Sequence, residues 1–268
     1  EVTDVVFASH GWPHWGPEAV RGYLTRQRDL YRWLHDQAMR LANLGYTPNE
    51  IAASIQLVTE ELILELARVL HRQTGLKRLS LAGGVALNCV GNGRILREAP
   101  FEDVWIQPAA GDAGGALGVA MLIWYQLLNN PRPPESYDCQ GASFLGPAFS
   151  EEEVGRSLDE AGASYHRFDD EDELCSKVAS LIADEKVIGW MQGRMEFGPR
   201  ALGGRSILGD ARSTQMQSVM NLKIKFRESF RPFAPSILEE RVDEFFEMRP
   251  NEPSPYMLLV ADVRPEKR

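Results

Sequence analysis

The chain has 268 residues, 44% hydrophobic and 25% charged, with a formal net charge of −9. That length can bury a core in one large domain or two small ones, and the composition is that of an ordinary soluble globular protein. No window reaches about 18 uncharged apolar residues and the start shows no basic-then-apolar leader, which argues against a membrane span or signal peptide; Cys89, Cys139 and Cys175 lie far apart with no CxxC pair, as expected of reduced thiols in a cytoplasmic protein.

Val2 to Ala8 reads as a buried strand. His10 and His14 form an HxxxH, which on a helix would put two imidazoles on one face, but Gly11-Trp12-Pro13 rules a regular helix out. After Pro17, the spacing of Val20, Leu24, Leu30, Tyr31, Leu34, Ala38 and Leu41 predicts a long helix that stops at Asn43-Leu44-Gly45. A second helix opens at Thr47-Pro48-Asn49-Glu50, with Thr as cap, Pro in the first turn and Glu reaching back, and runs to Gly75.

Two strand–glycine turn–helix units follow. The first has a strand at Arg78–Ala82, a turn at Gly83-Gly84 and a helix from Val85 to Leu96. The second has a strand at Val104–Gln107, a turn at Gly111–Gly115 and a helix from Ala116 to Leu128. Such units point to an α/β sheet with ligands at the strand ends. The Pro-rich stretch from Asn129 to Pro147 is the best domain boundary. Beyond it, Ser150-Glu-Glu-Glu starts a capped helix, Val187–Met191 is an apolar strand, and Tyr256–Val263 a last strand.

Between Arg194 and Arg231 the chain carries eight Lys or Arg against three Asp or Glu, a balance of +5, so the remainder sums to −14. Arg194, Arg200, Arg205, Arg227 and Arg231 are spaced by Gly and Pro rather than laid along one helix face. That arrangement suits several guanidinium forks converging on one phosphate-bearing ligand, with a solvated basic surface as the bland alternative. Nucleic acid is disfavoured, because the acidic remainder would repel a long polyanion.

Gly83-Gly84 at a strand end lets backbone N–H groups approach a phosphate at a helix N-terminus, though paired glycines there are also ordinary tight turns. Asp112, one unit later, is either a cation ligand or a helix cap. His35, His71 and His166 are isolated, which fits surface or core packing, and Cys89 fits packing better than nucleophilic chemistry.

From about Ala52 onwards, LAGGVALNCVGNGRIL, QPAAGDAGGALGVA, GRMEFGPRALGGRSIL and NLKIKFRESFRPFAPS closely resemble the O-carbamoyltransferases of the nodulation and antibiotic-tailoring type, in order and over some four-fifths of the chain. The resemblance implies an α/β fold. Residues 52–130 would be the second half of an actin-like ATPase (Kae1-like) domain, 131–149 a linker, and 150–268 an incomplete YrdC-like domain. It implies formation of carbamoyl-adenylate from carbamoyl phosphate and ATP, then transfer of the carbamoyl group to the hydroxyl of a small-molecule acceptor. Arg200 and Arg227 would be catalytic. Gly83, Gly84, Asn88, Arg194, Arg205, Asn221, Lys225 and Arg231 would bind carbamoyl phosphate and nucleotide. Asp112 would hold a divalent metal, iron or magnesium, although that family's metal-binding histidines have no counterpart in this sequence.

Residues 1–51, through FASHGWPHWG and QRDLYRWLHDQAMRLANLGYTPNEIA, instead resemble the metallo-β-lactamase-fold alkylsulfatases, with His10 a candidate zinc ligand and the following helices a dimerising region. The remaining ligands of that family, including its HxHxDH run, are absent. The sequence thus reads as a junction near Asn49–Ala53 between two partial proteins, clipped at both ends. Two alternative functions follow: a zinc-dependent sulfatase remnant, or a non-catalytic helical module at residues 17–72 that forms a homodimer.

Overall fold

A computed structural model of the chain describes residues 5–6, 14–132, 140–229, 231–248 and 254–267. They fall into two compact units, Glu1–Val69 and Leu70–Arg268. In the first, β1 (Val5–Val6) and β2 (His14–Trp15) pair antiparallel with Val5 opposite Trp15. His14 is therefore in extended backbone, in keeping with the exclusion of a helical HxxxH, while His10 lies outside the described residues.

Helix α1 (Pro17–Asn43) ends where Gly45 turns to φ +90°, a left-handed conformation that glycine adopts without strain. Helix α2 (Pro48–Thr74) opens on the expected capping pair. The Thr47 N–H donates to Glu50 Oε2 at 2.8 Å, and the Glu50 N–H donates to Thr47 Oγ1 at 3.3 Å. The helical periodicity of both segments is realised, but burial follows only in part. Val20 and Leu64 are buried, whereas Leu24, Leu30, Tyr31, Ile55, Val58, Leu62 and Leu66 are exposed.

The second unit contains the expected strand–loop–helix repeat. Strands β3 (Arg78–Leu81) and β4 (Asp103–Ile106) run parallel, Leu79 opposite Val104. The first helix is divided. A 3₁₀ turn covers Gly84–Leu87, and Asn88 then caps α3 (Cys89–Glu98), its Oδ1 accepting from the Gly91 N–H at 3.0 Å. A side chain that takes a backbone donor in this way stops one helix and starts the next, which the reading of one helix from Val85 missed. The second helix starts earlier than expected. Gly111–Gly115 is mostly the first turn of α4 (Asp112–Leu122), because Gly111 is the extended cap and Gly114 packs where any Cβ would collide with the Ala109 carbonyl. The helix continues as a π turn over Ile123–Leu127.

Beneath these loops sits a cluster of buried Ala86, Ile106, Ala110 and Leu258, flanked by Leu81, Leu87, Val104, Tyr256 and Leu259. Burial of a side chain such as Ile106 or Leu258 contributes about 1.5–3 kcal/mol. The segment that supplies Tyr256–Leu259 is not the expected strand; it forms only an isolated bridge, Phe246 to Val263. Met257 at φ +52° interrupts extended backbone. Side chains of α3 hold the segment instead: Asn92, 1% exposed, donates from Nδ2 to the carbonyls of Ala86 (2.8 Å) and Leu258 (3.0 Å), and Arg97 reaches that of Val260 at 3.1 Å.

Helices α5 (Glu151–Glu160), opened by the expected Ser150 capping box with Glu153, and α6 (Glu171–Ala183) lead to β5 (Ile188–Met191). Strand β5 pairs antiparallel with β6 (Arg205–Leu208), Met191 opposite Arg205. Short helices α7 (Met216–Val219), continued by a π turn at Met220–Ile224, and α8 (Val242–Phe245) complete the order. The outcome is α/β, with the basic segment as the β5–β6 loop and the stretch after α7. No helix among the described residues is long and apolar enough to cross a membrane.

Candidate functional site

Two loops leave the C-terminal ends of the parallel strands. Gly83, at φ +96°, turns the chain out of β3, and its N–H donates to the Ala110 carbonyl at 2.8 Å. The Gln107 N–H donates to Leu81 at 3.0 Å. Gly83, Gly84 and Asn88 are thereby joined to the 107–112 loop that carries Asp112, the first residue of α4.

The β5–β6 loop reaches both. Gly198, at φ +131°, lies where an added Cβ would sit 3.5 Å from the Ala109 Cβ. Two residues on, Arg200 Nη2 donates to the Leu87 carbonyl at 2.8 Å, while its Nε is buried with no hydrogen-bond partner. A buried guanidinium N–H left unmatched is unfavourable by about 1–3 kcal/mol, so this is where an anionic acceptor gains most. Arg200, Gly83, Gly84, Asn88 and the loop of Asp112 are thus brought together.

The rest of the island is held differently. Arg194 Nη1 donates to the Gly146 carbonyl at 3.1 Å, the Gly146 N–H donates to the Met195 carbonyl at 2.9 Å, and the Met195 N–H donates to the Pro147 carbonyl at 3.0 Å. Arg205 ties its own hairpin: Nη1 donates to Gln192 at 3.2 Å and Gly204 at 2.6 Å, and Nη2 to Gly193 at 3.1 Å. Glu196 Oε1 accepts the backbone N–H groups of Leu202 (2.9 Å), Gly204 (2.6 Å) and Arg205 (3.1 Å). Burial alone pushes this carboxyl up, but the backbone donors of Leu202, Glu196 itself, Arg205 and Gly204 outweigh it and hold the pKa below the ordinary carboxylate value.

A second clasp follows α7. Asn221 is 0% exposed; its Nδ2 donates to Ser229 (3.1 Å) and Arg231 (2.8 Å), and its Oδ1 accepts from Arg227 Nε at 2.6 Å. Arg227 also lies over the Phe233 ring, 4.9 Å from its centroid. Arg231 pairs with Glu228 at 2.8 Å in exposed surroundings, where such pairs are weak. Lys225 is exposed, next to Phe226, which is 85% exposed at φ +48°. The hairpin and this clasp meet at Gly209, where an added Cβ would lie 2.8 Å from the sulfurs of Met216 and Met220. Sequence reasoning missed Glu196, Asn92 and the buried Asp210, whose carboxylate binds Arg212 Nη2 at 2.7 Å. A lone carboxylate inside GRMEFGPR was the available signal for Glu196.

For a metal, the fit is poor. Among the described residues no group of three or more His, Cys, Asp or Glu could hold an ion, so no described set of donors completes a metal site at Asp112.

Two family models match the chain: carbamoyltransferase N-terminus over residues 24–121 and carbamoyltransferase C-terminus over residues 179–268. The first begins within α1, so the likeness extends into the stretch that resembled alkylsulfatases. The alkylsulfatase resemblance finds no support, and the junction near Asn49–Ala53 falls inside a single family match. The chain is 59% identical over 221 residues to the uncharacterized protein sll1178 of Synechocystis sp., covering 82% of this chain and 35% of that one. It is 42% identical over 220 residues to nodulation protein NolNO of Sinorhizobium fredii (82% and 32%), and 34% over 252 residues to nodulation protein U of Sinorhizobium fredii (90% and 41%). The chain thus spans between about a third and two fifths of the length of these curated relatives.

Proposed function

Because the chain belongs to the carbamoyltransferase family, we propose that it forms the carbamoyl phosphate- and nucleotide-binding part of an ATP-dependent O-carbamoyltransferase. The observation that carries this reading is Arg200, bonded to Leu87 beside the Gly83-Gly84 turn and holding a buried, unmatched Nε. A guanidinium between a glycine turn and a basic hairpin is suited to the charge that phosphate groups bring and release.

On this reading, carbamoyl phosphate loses phosphate to water and yields carbamate. A carbamate oxygen then bonds to the α-phosphorus of ATP as pyrophosphate leaves, giving carbamoyl-adenylate. The acceptor hydroxyl attacks the carbamoyl carbon, AMP departs and the hydroxyl proton passes to solvent. Each step before the last releases a polyanion, which the island's arginines would stabilise. Arg200 would meet the transferring group, and Arg227, fixed by Asn221 and Phe233, would hold a phosphate at its remaining donors. Residues 52–130 would form the second half of an actin-like (Kae1-like) ATPase domain and 150–268 a YrdC-like domain, joined through 131–149, in a cytoplasmic enzyme. No step is assigned to a metal.

The test is pyrophosphate release with ATP and carbamoyl phosphate and no acceptor, beside calorimetry with carbamoyl phosphate alone. Saturable binding and ATP-dependent release are expected. A folded chain that binds no carbamoyl phosphate and releases no pyrophosphate overturns the reading.

A further inference from the structure

We propose that Glu196 is the positioning residue of the basic hairpin: its carboxylate closes the 197–205 loop by accepting the N–H groups at its far end and so fixes where Arg200 is presented. The inference rests on reading this segment as the anion site.

The loop is pinned at its start, where the Phe197 N–H donates to the Ser143 carbonyl at 2.6 Å. Its far end is pinned by Glu196 Oε1 through Leu202, Gly204 and Arg205, beside the Gln192 N–H on the Gly204 carbonyl (2.9 Å) and the Gly203 N–H on Ser206 Oγ (3.0 Å). Space is tight there. Gly204 is buried, and an added Cβ would lie 2.6 Å from the Arg194 carbonyl oxygen and 3.0 Å from the Phe144 ring. Gly203 is at φ +111°. Between the pins stand Gly198, leaning on Ala109, and Arg200, reaching Leu87.

Convergent backbone N–H groups in a glycine loop are what a phosphate takes when nothing else fills them. Here a carboxylate from the same loop fills them, so an anionic ligand has to be met by guanidinium side chains. Glu196 therefore acts through the backbone rather than on the ligand. It adds one negative charge to a basic segment, which by itself opposes anion binding, and that opposition separates the two roles.

The decisive pair is Glu196→Gln and Glu196→Asp in the full chain, titrated with carbamoyl phosphate and with inorganic phosphate by calorimetry. Gln keeps the reach of the accepting oxygen without the charge, and Asp keeps the charge one methylene short. Positioning predicts that E196Q binds carbamoyl phosphate within about threefold of the parent or tighter, and that E196D loses about tenfold or more. Equal losses, a loss confined to E196Q, or parental affinity in both overturns it. Hydrogen exchange at the amides of Leu202, Gly204 and Arg205 reads the same question without any ligand. E196D should expose them about tenfold more, with the β5–β6 ladder unchanged; unchanged protection also overturns the proposal. A parent that binds no carbamoyl phosphate instead defeats the anion-site reading, and the exchange data still report whether Glu196 holds the loop.

Discussion

Arg200 Nη2 donates to the carbonyl oxygen of Leu87 at 2.8 Å, a bond spanning 113 positions that joins the basic hairpin to the loop after β3. The Nε of the same guanidinium is buried and unmatched, so on the proposed reading Arg200 would serve a ligand more than the fold. Arg200→Ala should weaken carbamoyl phosphate binding by about 1.5–3 kcal/mol, the range for a charged hydrogen bond, and shift thermal stability little. Arg200→Lys should not restore it, since an ammonium cannot hold Leu87 and an anion in fixed directions. Parental affinity in Arg200→Ala, measured by calorimetry, would remove Arg200 from the site.

Asn221 behaves in the opposite way. All three of its described side-chain bonds go to residues 227–231, its carbonyl accepts from the Arg227 N–H at 3.0 Å, and it is wholly buried. Asn221→Ala should destabilise the chain by about 2–4 kcal/mol, because the Ser229 carbonyl and the Arg227 Nε–H lose their partner at once and the Arg231 carbonyl keeps only Gln217 Nε2. Arg227→Ala should lower stability less and ligand affinity more. Denaturant titration of both variants gives the comparison. An Asn221→Ala variant as stable as the parent would mean that the clasp is not a structural element.

How far the sequence discloses this site depends on the range of the interactions that make it. The Thr47–Glu50 and Ser150–Glu153 caps are four-residue patterns and were readable, as were the glycine exits from β3 and β4 and the basic segment itself. Glu196 and Asn92 were not, although they organise the loops most directly. The Asn92 amide is defined by a carbonyl 166 positions away, and Glu196 by a loop closure that appears only once Gly203 and Gly204 adopt their turn. The α1 and α2 stripes show the reverse failure. Periodicity identified both helices correctly, but periodicity does not say what covers a face, and Leu30, Tyr31, Val58 and Leu62 are exposed.

The Asp210–Arg212 pair gives the chain a dependence on acid. The Arg212 guanidinium, by hydrogen bonding, and then the Arg212 N–H hold the Asp210 carboxyl down from 3.8 to about 2. A depressed carboxylate stabilises the fold above its unfolded value, and that contribution fades as pH falls from about 4 to about 2. Asp210→Asn should therefore melt below the parent at pH 6, with the gap shrinking as pH approaches 2. A gap in melting temperature that stays constant across this range is the outcome that rules the linkage out.

Asn92 donates to Ala86 and Leu258, and Gly93 beside it leaves room for the Val260 carbonyl, 2.7 Å from where a Cβ would stand. Both residues of α3 therefore hold Tyr256–Val260 over the loop that follows β3. Asn92→Ala leaves two buried carbonyls without their donor, which should destabilise the chain by about 2–4 kcal/mol. Gly93→Ala leaves those bonds in place but puts a methyl group against backbone that can yield only by moving. It should loosen residues 254–267 selectively, seen as faster limited proteolysis there with the β3–β4 amides still protected from exchange. Since Leu258 also packs on Ala86 and Ile106 beneath the Gly83-Gly84 turn, the same variant should weaken nucleotide binding without touching any residue of the basic segment. Parental proteolysis and parental ATP affinity in Gly93→Ala together would show that the segment does not support the turn.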